Sequence, residues 1–170
     1  MRALRGTVVL LALALAAAGA LAAPDCRIDA PKPLKALHVP EGVRIGLALG
    51  SGSMHGYAHI GVLQELEARG LPIAVVSGTS VGALVGSLWA SGLSASAIDA
   101  LARREQLDLA EVSGSWQGLY SSEPMRSPLE AAFRGRPIES WPRRFGAVAT
   151  ELSRGERRVI STGDGAVAMR

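Results

Sequence analysis

Apolar positions in this chain cluster into short runs separated by glycine-rich breaks, and the runs differ in period. Val43–Leu49 is a compact run of β-compatible residues bounded by glycines, which predicts a buried strand. Ala58–Arg69 then sets Ile60, Leu63 and Leu66 at helical spacing, with Val62 beside them. Gly70 ends it as a C-cap, and Pro72 marks the turn back. Ile73–Val76 predicts a second buried strand, and Ala83–Trp89 a helix that runs to about Ala90 and closes at Gly92. Strand, helix, strand, helix is the order of a parallel sheet, because parallel neighbours need crossover helices that cover the sheet. The fold class predicted is α/β.

Further along, Ser96 and Asp99 have the spacing of a capping box and predict a helix reaching about Arg104. Ser122 and Pro124 head another over Glu123–Phe133. Between them Leu109–Ser121 has no period and reads as a surface loop anchored at Trp116. Phe145–Thr150 and Arg157–Thr162 predict two strands joined by a turn at Ser153–Gly155.

The N-terminus is patterned differently. Arg2 and Arg5 precede the apolar run Val8–Leu21, and Ala20-Leu21-Ala22 offers small residues for cleavage, so residues 1–22 read as a secretory signal. The run is shorter than the roughly 20 residues of a spanning helix. Residues 23–42, with four prolines between Pro24 and Pro40, read as an extended lead-in. An exported protein, periplasmic or secreted, is the expectation.

This division changes the charge. Of 18 basic and 15 acidic side chains, Arg2 and Arg5 belong to the signal; 16 against 15 remain, and the mature chain is nearly neutral. No window interleaves basic residues with aromatics, which argues against nucleic acid. Arg103-Arg104, Arg143-Arg144 and Arg157-Arg158 read as solvated pairs, with contact to a membrane surface as the alternative. Cys26 is the only cysteine, which leaves no intrachain disulfide. His38, His55 and His59 lack companions at metal-ligand spacing, so no metal or cofactor is expected.

The segment that carries chemistry is Gly78-Thr79-Ser80-Val81-Gly82, between the second strand and its helix. A strand turning abruptly into a helix passes through strained backbone, so glycines flank the turn and the central hydroxyl is pushed outward. Ser80 would then stand at the positive end of a helix, placed for nucleophilic acyl transfer. The bland alternative is a tight turn in which Ser80 caps the helix. Upstream, Gly50-Ser51-Gly52-Ser53-Met54-His55-Gly56 follows the first strand, and the amides of Ser51, Gly52 and Ser53 are candidate oxyanion donors. As a dinucleotide loop its glycines are one residue too widely spaced, and no acidic residue stands near position 70. All three histidines precede Ser80, so the order serine, acid, histidine is absent; His55 or His59 could approach Ser80 only through the fold.

Taken together, Arg44–Gly50, Ala58–Leu63 and the Gly78–Gly82 elbow resemble the patatin-like phospholipases, especially their bacterial branch, and Phe145–Thr150 resembles a core strand of that family. The resemblance implies a three-layer fold, a mainly parallel sheet flanked by helices, over residues 43–170. It implies a serine–aspartate dyad acting without histidine on lipid or phospholipid esters. In this chain Ser51 and Ser53 stand where the family has glycines, and His55 where it has a basic residue. Asp164-Gly165-Ala166 has the letters of the family's acid motif, so Asp164 is a candidate acid. Its place after two paired strands instead matches a segment that leads into a helix ahead of that motif. The expectation is an incomplete domain, with the acid beyond Arg170. Two other readings stay open: an inactive remnant or binding module, and a nucleotide-binding α/β domain.

Overall fold

The computed structural model describes residues 39–104, 111–115, 118–121 and 125–169. The signal segment, most of the lead-in, Cys26, Trp116 and the expected helix head at Ser122 and Pro124 lie outside them. In chain order the elements are β1 (Ile45–Leu49), a 3-10 turn (Ser53–Gly56), α1 (Tyr57–Ala68), β2 (Ile73–Gly78), α2 (Val81–Ala90) and α3 (Ala95–Arg104). They continue with β3 (Glu111–Ser115), β4 (Gly118–Ser121), α4 (Arg126–Phe133), a 3-10 turn (Ile138–Ser140), β5 (Arg144–Glu151), β6 (Glu156–Ile160) and α5 (Gly165–Ala168).

The main sheet has the order β1-β2-β5-β6. β1, β2 and β5 run parallel, and β6 returns antiparallel along β5. The α/β class and the mainly parallel sheet expected from the alternation of runs are what the chain forms. In register, Leu49 lies beside Gly78, and Gly78 beside Ala147. One face of the sheet carries Leu49, Val76, Phe145 and Ala147, all buried. α2 lies on that face: a methyl group at Gly86 would meet Val76, Leu49 and Phe145 at 3.1, 3.3 and 3.4 Å. All ten residues of α2 are buried, which explains a helix with no polar stripe. Ser87 within it and Ser91 at its C-cap satisfy themselves, Ser87 donating to the Leu84 carbonyl and Ser91 to that of Leu88.

β1 differs from the expected buried strand. It stands at the edge of the sheet, and only Leu49 is buried, with Gly46 and Ala48 exposed on the face away from α2. Val75 and Val159 are exposed on that same face, 40% and 56%. A short apolar run cannot distinguish burial on two faces from burial on one. The loop expected over Leu109–Ser121 is in its described parts a two-stranded antiparallel ribbon, β3 with β4. The cap of α3 is Ser94, whose hydroxyl accepts from the Ala97 N–H; Asp99 pairs with Arg103 instead of completing a box at Ser96.

The C-terminal end of the central helix is tied by side chains from elsewhere. Glu67 on α1 accepts the Trp89 indole N–H at 2.7 Å and the Ala95 amide at 3.1 Å, joining α1, α2 and the head of α3. At the C-terminus of α2, Arg143 donates to the Trp89 carbonyl and lies 4.0 Å over the Trp89 ring, while Arg136 donates to the Ser91 carbonyl. Cations there satisfy open carbonyls and oppose the negative end of the helix. Behind β5, Phe133, Trp141 and Phe145 stack at 4.8 and 5.6 Å between ring centres.

Glu67→Ala would leave the Trp89 and Ala95 donors, both buried, without an acceptor, and should lower unfolding free energy by about 2–3 kcal/mol in urea denaturation. Backbone N–H groups, first that of Glu139 itself and then that of Gly163, hold the Glu139 carboxyl below its ordinary range. The lowered folded value means that Glu139 stabilises the fold above the pH where a free glutamate titrates, about 4.3, and that this is lost as pH falls through the folded value. Denaturation midpoints of wild type and Glu139→Gln should differ at neutral pH and converge in acid.

Candidate active site

β1 and β2 are parallel neighbours, so their carboxyl ends open on the same side, where open α/β sheets hold ligands. The glycine-rich loop leaves β1 there, and the elbow leaves β2 there. Ser80 sits between Gly78, the last residue of β2, and Val81, the first of α2, with φ 53° and ψ −128°. This is backbone that side-chain-bearing residues rarely adopt, at a cost of about 1–3 kcal/mol. Its carbonyl starts the helix, accepting from Ala83 and Leu84 at 2.8 and 3.1 Å. Its side chain is exposed and makes no capping bond, so the bland role of helix cap is not the one Ser80 fills.

The elbow is held by backbone meeting backbone. A methyl group on Gly82 would overlap the carbonyl oxygens of Leu49 and Gly50. One on Gly78 would overlap the Gly82 carbonyl, and one on Gly56 would run into the Val81 side chain. The Thr79 N–H donates to the Leu49 carbonyl at 3.1 Å, which ties the elbow to the end of β1. Three glycines thus let the loop after β1, the elbow and the head of α1 pack together. Gly78 and Gly82 were legible from the motif; the contact of Gly56 with Val81 was not, because only the fold makes them neighbours.

Within the loop, Ser51 and Ser53 are exposed and Gly52 is half-buried. Ser53 has φ 47° and opens the 3-10 turn that runs directly into α1, one turn earlier than the helical spacing suggests. The Gly52 carbonyl accepts the backbone N–H of His55 at 3.0 Å, and the His55 Nδ1 lies 3.2 Å from the same oxygen. His59 bonds through Nε2 to the Gly50 carbonyl at 2.9 Å. A carbonyl only accepts, so that nitrogen carries the proton and cannot take one from Ser80.

Asp164 lies elsewhere. Its carboxylate accepts from the Ala166 and Val167 amides at 2.8 and 3.1 Å, capping α5. It also bridges Pro137, which precedes β5, and so lies toward the amino ends of the parallel strands. From Arg144 to Ala147, the residue level with Gly78, the strand alone spans about 10 Å. Ser80 and Asp164 are not brought together. Asp99, the other aspartate among the described residues, pairs with Arg103 at 2.8 Å, and that bond raises the Arg103 guanidinium. No group of three metal-ligating side chains occurs among the described residues.

The sequence profile described as Patatin-like phospholipase matches residues 47–166, from β1 to the first turn of α5. The chain belongs to the patatin-like phospholipase family. It is similar to an uncharacterized NTE family protein of Mycobacterium bovis, 39% identical over 116 residues that make 66% of this chain and 32% of the relative. A patatin-like phospholipase domain-containing protein of Caenorhabditis elegans is 30% identical over 150 residues, 82% of this chain and 11% of its own length. The lysophospholipase NTE1 of Mycosarcoma maydis is 57% identical over 49 residues, 29% of this chain and 3% of that protein. The chain thus spans about a third of the length of the mycobacterial relative. The elbow and the glycine loop lie within the matched residues, at the carboxyl ends of β1 and β2.

Two glycine substitutions separate the elbow from ordinary helix. Gly82→Ala should destabilise by roughly 1–3 kcal/mol or more, because the methyl meets unyielding backbone. Gly61→Ala, in α1 with open space around it, should stabilise by up to about 1 kcal/mol. Equal effects in denaturant titration would remove the close approach as the reason for glycine at 82.

Proposed function

We propose that this chain carries the nucleophile and oxyanion loop of an exported serine acyl hydrolase acting on lipid or phospholipid esters. The observation that carries the reading is Ser80: exposed, held at φ 53° at the head of a buried helix, and making no capping bond. Family membership and the relative named a lysophospholipase support the substrate class. The N-terminal pattern of Arg2, Arg5 and the apolar run Val8–Leu21 supports export to the periplasm or beyond.

In this mechanism the Ser80 Oγ attacks the ester carbonyl carbon while an aspartate accepts its proton. Charge then develops on the carbonyl oxygen, and the amides of Ser51, Gly52 and Ser53 hold it; one such donor is worth on the order of 3 kcal/mol in the transition state. Collapse of the tetrahedral intermediate expels the alcohol portion with the proton and leaves the acyl group on Ser80. Water, deprotonated by the same aspartate, releases the carboxylic acid and restores the serine. Asp164 caps α5 and Asp99 pairs with Arg103, so this reading assigns the proton acceptor to an aspartate outside the described residues.

That same observation favours a second reading, an inactive remnant or binding module that keeps the fold. A fluorophosphonate probe and a short-chain ester distinguish the two. Wild type should label and hydrolyse, and Ser80→Ala should lose labelling and at least about 10³-fold in turnover. Labelling that persists in Ser80→Ala, or is absent from both, counts against the nucleophile. Asp164→Asn should weaken the cap of α5 and leave labelling unchanged.

A further inference from the structure

His59 is a polar side chain that reaches the loop from outside it and that the dyad mechanism does not use. Its Nε2 donates to the Gly50 carbonyl at 2.9 Å from the first turn of α1, across the loop. That carbonyl belongs to the backbone wall that Gly82 abuts, so the ring, the loop and the elbow meet at one peptide unit. A trans peptide is planar, with its C=O and N–H pointing in opposite directions. Fixing the Gly50 oxygen toward His59 therefore aims the Ser51 N–H away from His59. The Gly52 carbonyl is held in the same manner by the His55 backbone N–H at 3.0 Å, which fixes the direction of the Ser53 N–H.

We propose that His59 is a positioning residue for the oxyanion loop: by holding the Gly50 carbonyl it directs the Ser51 amide toward the charge formed during acyl transfer. The inference rests on the acyl-hydrolase reading above. It gives His59 a role other than that of base, since the nitrogen that touches the loop is occupied as a donor. Loops of this type normally rely on glycine freedom, and here Ser51 and Ser53 reduce it. Pinning the Gly50 carbonyl by the His59 side chain and the Gly52 carbonyl by the His55 N–H supplies the order a mobile loop would lack. A donor already aimed at the developing charge needs no reorganisation during reaction.

The test is a pair of amide substitutions in the full chain. Glutamine sets its amide nitrogen at about the reach of Nε2, whereas asparagine carries the same amide one methylene shorter. Measured on a short-chain ester, His59→Gln should stay within about threefold of wild type in kcat, and His59→Asn should fall at least about tenfold with KM little changed. The rate of fluorophosphonate labelling at Ser80 should follow kcat. Denaturation midpoints identify any variant whose loss is one of folding. Asparagine and glutamine variants of equal kcat, or a loss that appears only in KM, would overturn the positioning role while the nucleophile stands. A wild-type chain that does not label at Ser80 would remove both proposals together.

Discussion

The whole arrangement depends on one steric constraint: the backbone of the elbow lies against the backbone that ends β1. Gly82 approaches the Leu49 and Gly50 carbonyls too closely for any side chain, and Gly78 approaches Gly82 in the same way. This contact sets the angle at which α2 leaves β2, and the angle presses a fully buried helix onto Leu49, Val76 and Phe145. Burial of that helix is what holds Ser80 at positive φ, because local strain persists only where surrounding packing over-determines it. The strained residue and the rigid core are two aspects of one packing solution.

From that constraint the organisation of the site follows. The Thr79 amide bonds the Leu49 carbonyl, and the Gly50 carbonyl turns to His59. Loop and elbow are therefore parts of one hydrogen-bonded assembly at the carboxyl ends of two adjacent strands. The far end of α2 is fixed by Arg143, Arg136 and the Glu67–Trp89 bond, which stops the helix from sliding along the sheet. Family membership rests on the same region, since the matched residues begin in β1 and pass through loop, elbow and α2.

Much of this was legible in the sequence, and the exceptions have physical causes. Period and punctuation located β1, α1, β2 and α2, because a buried helix between glycine turns leaves a strong apolar signature. The Gly78–Gly82 spacing located the elbow for the same steric reason that the structure displays. The sequence could not say that β1 stands at an edge, because a five-residue apolar run looks alike with one face covered or two. It read Leu109–Ser121 as loop, because two short strands with glycine and serine carry little β-propensity. Ser94 rather than Ser96 caps α3, since two serines of equal propensity stood two residues apart. The letters Asp164-Gly165-Ala166 suggested an acid, but the register of β5 and β6 takes Asp164 to the wrong end of the sheet, where it caps α5. His59 was visible only as a polar residue on a helix; its grip on Gly50 is a tertiary fact.

The most direct test of this account is a crystal structure of the full chain carrying a phosphonate on Ser80. The account predicts that the phosphonyl oxygen accepts hydrogen bonds, at about 2.7–3.1 Å, from amides within Ser51–Ser53, with the Gly50 carbonyl still on His59. A phosphonyl oxygen directed away from that loop, or a phosphonate attached at any residue other than Ser80, would contradict it.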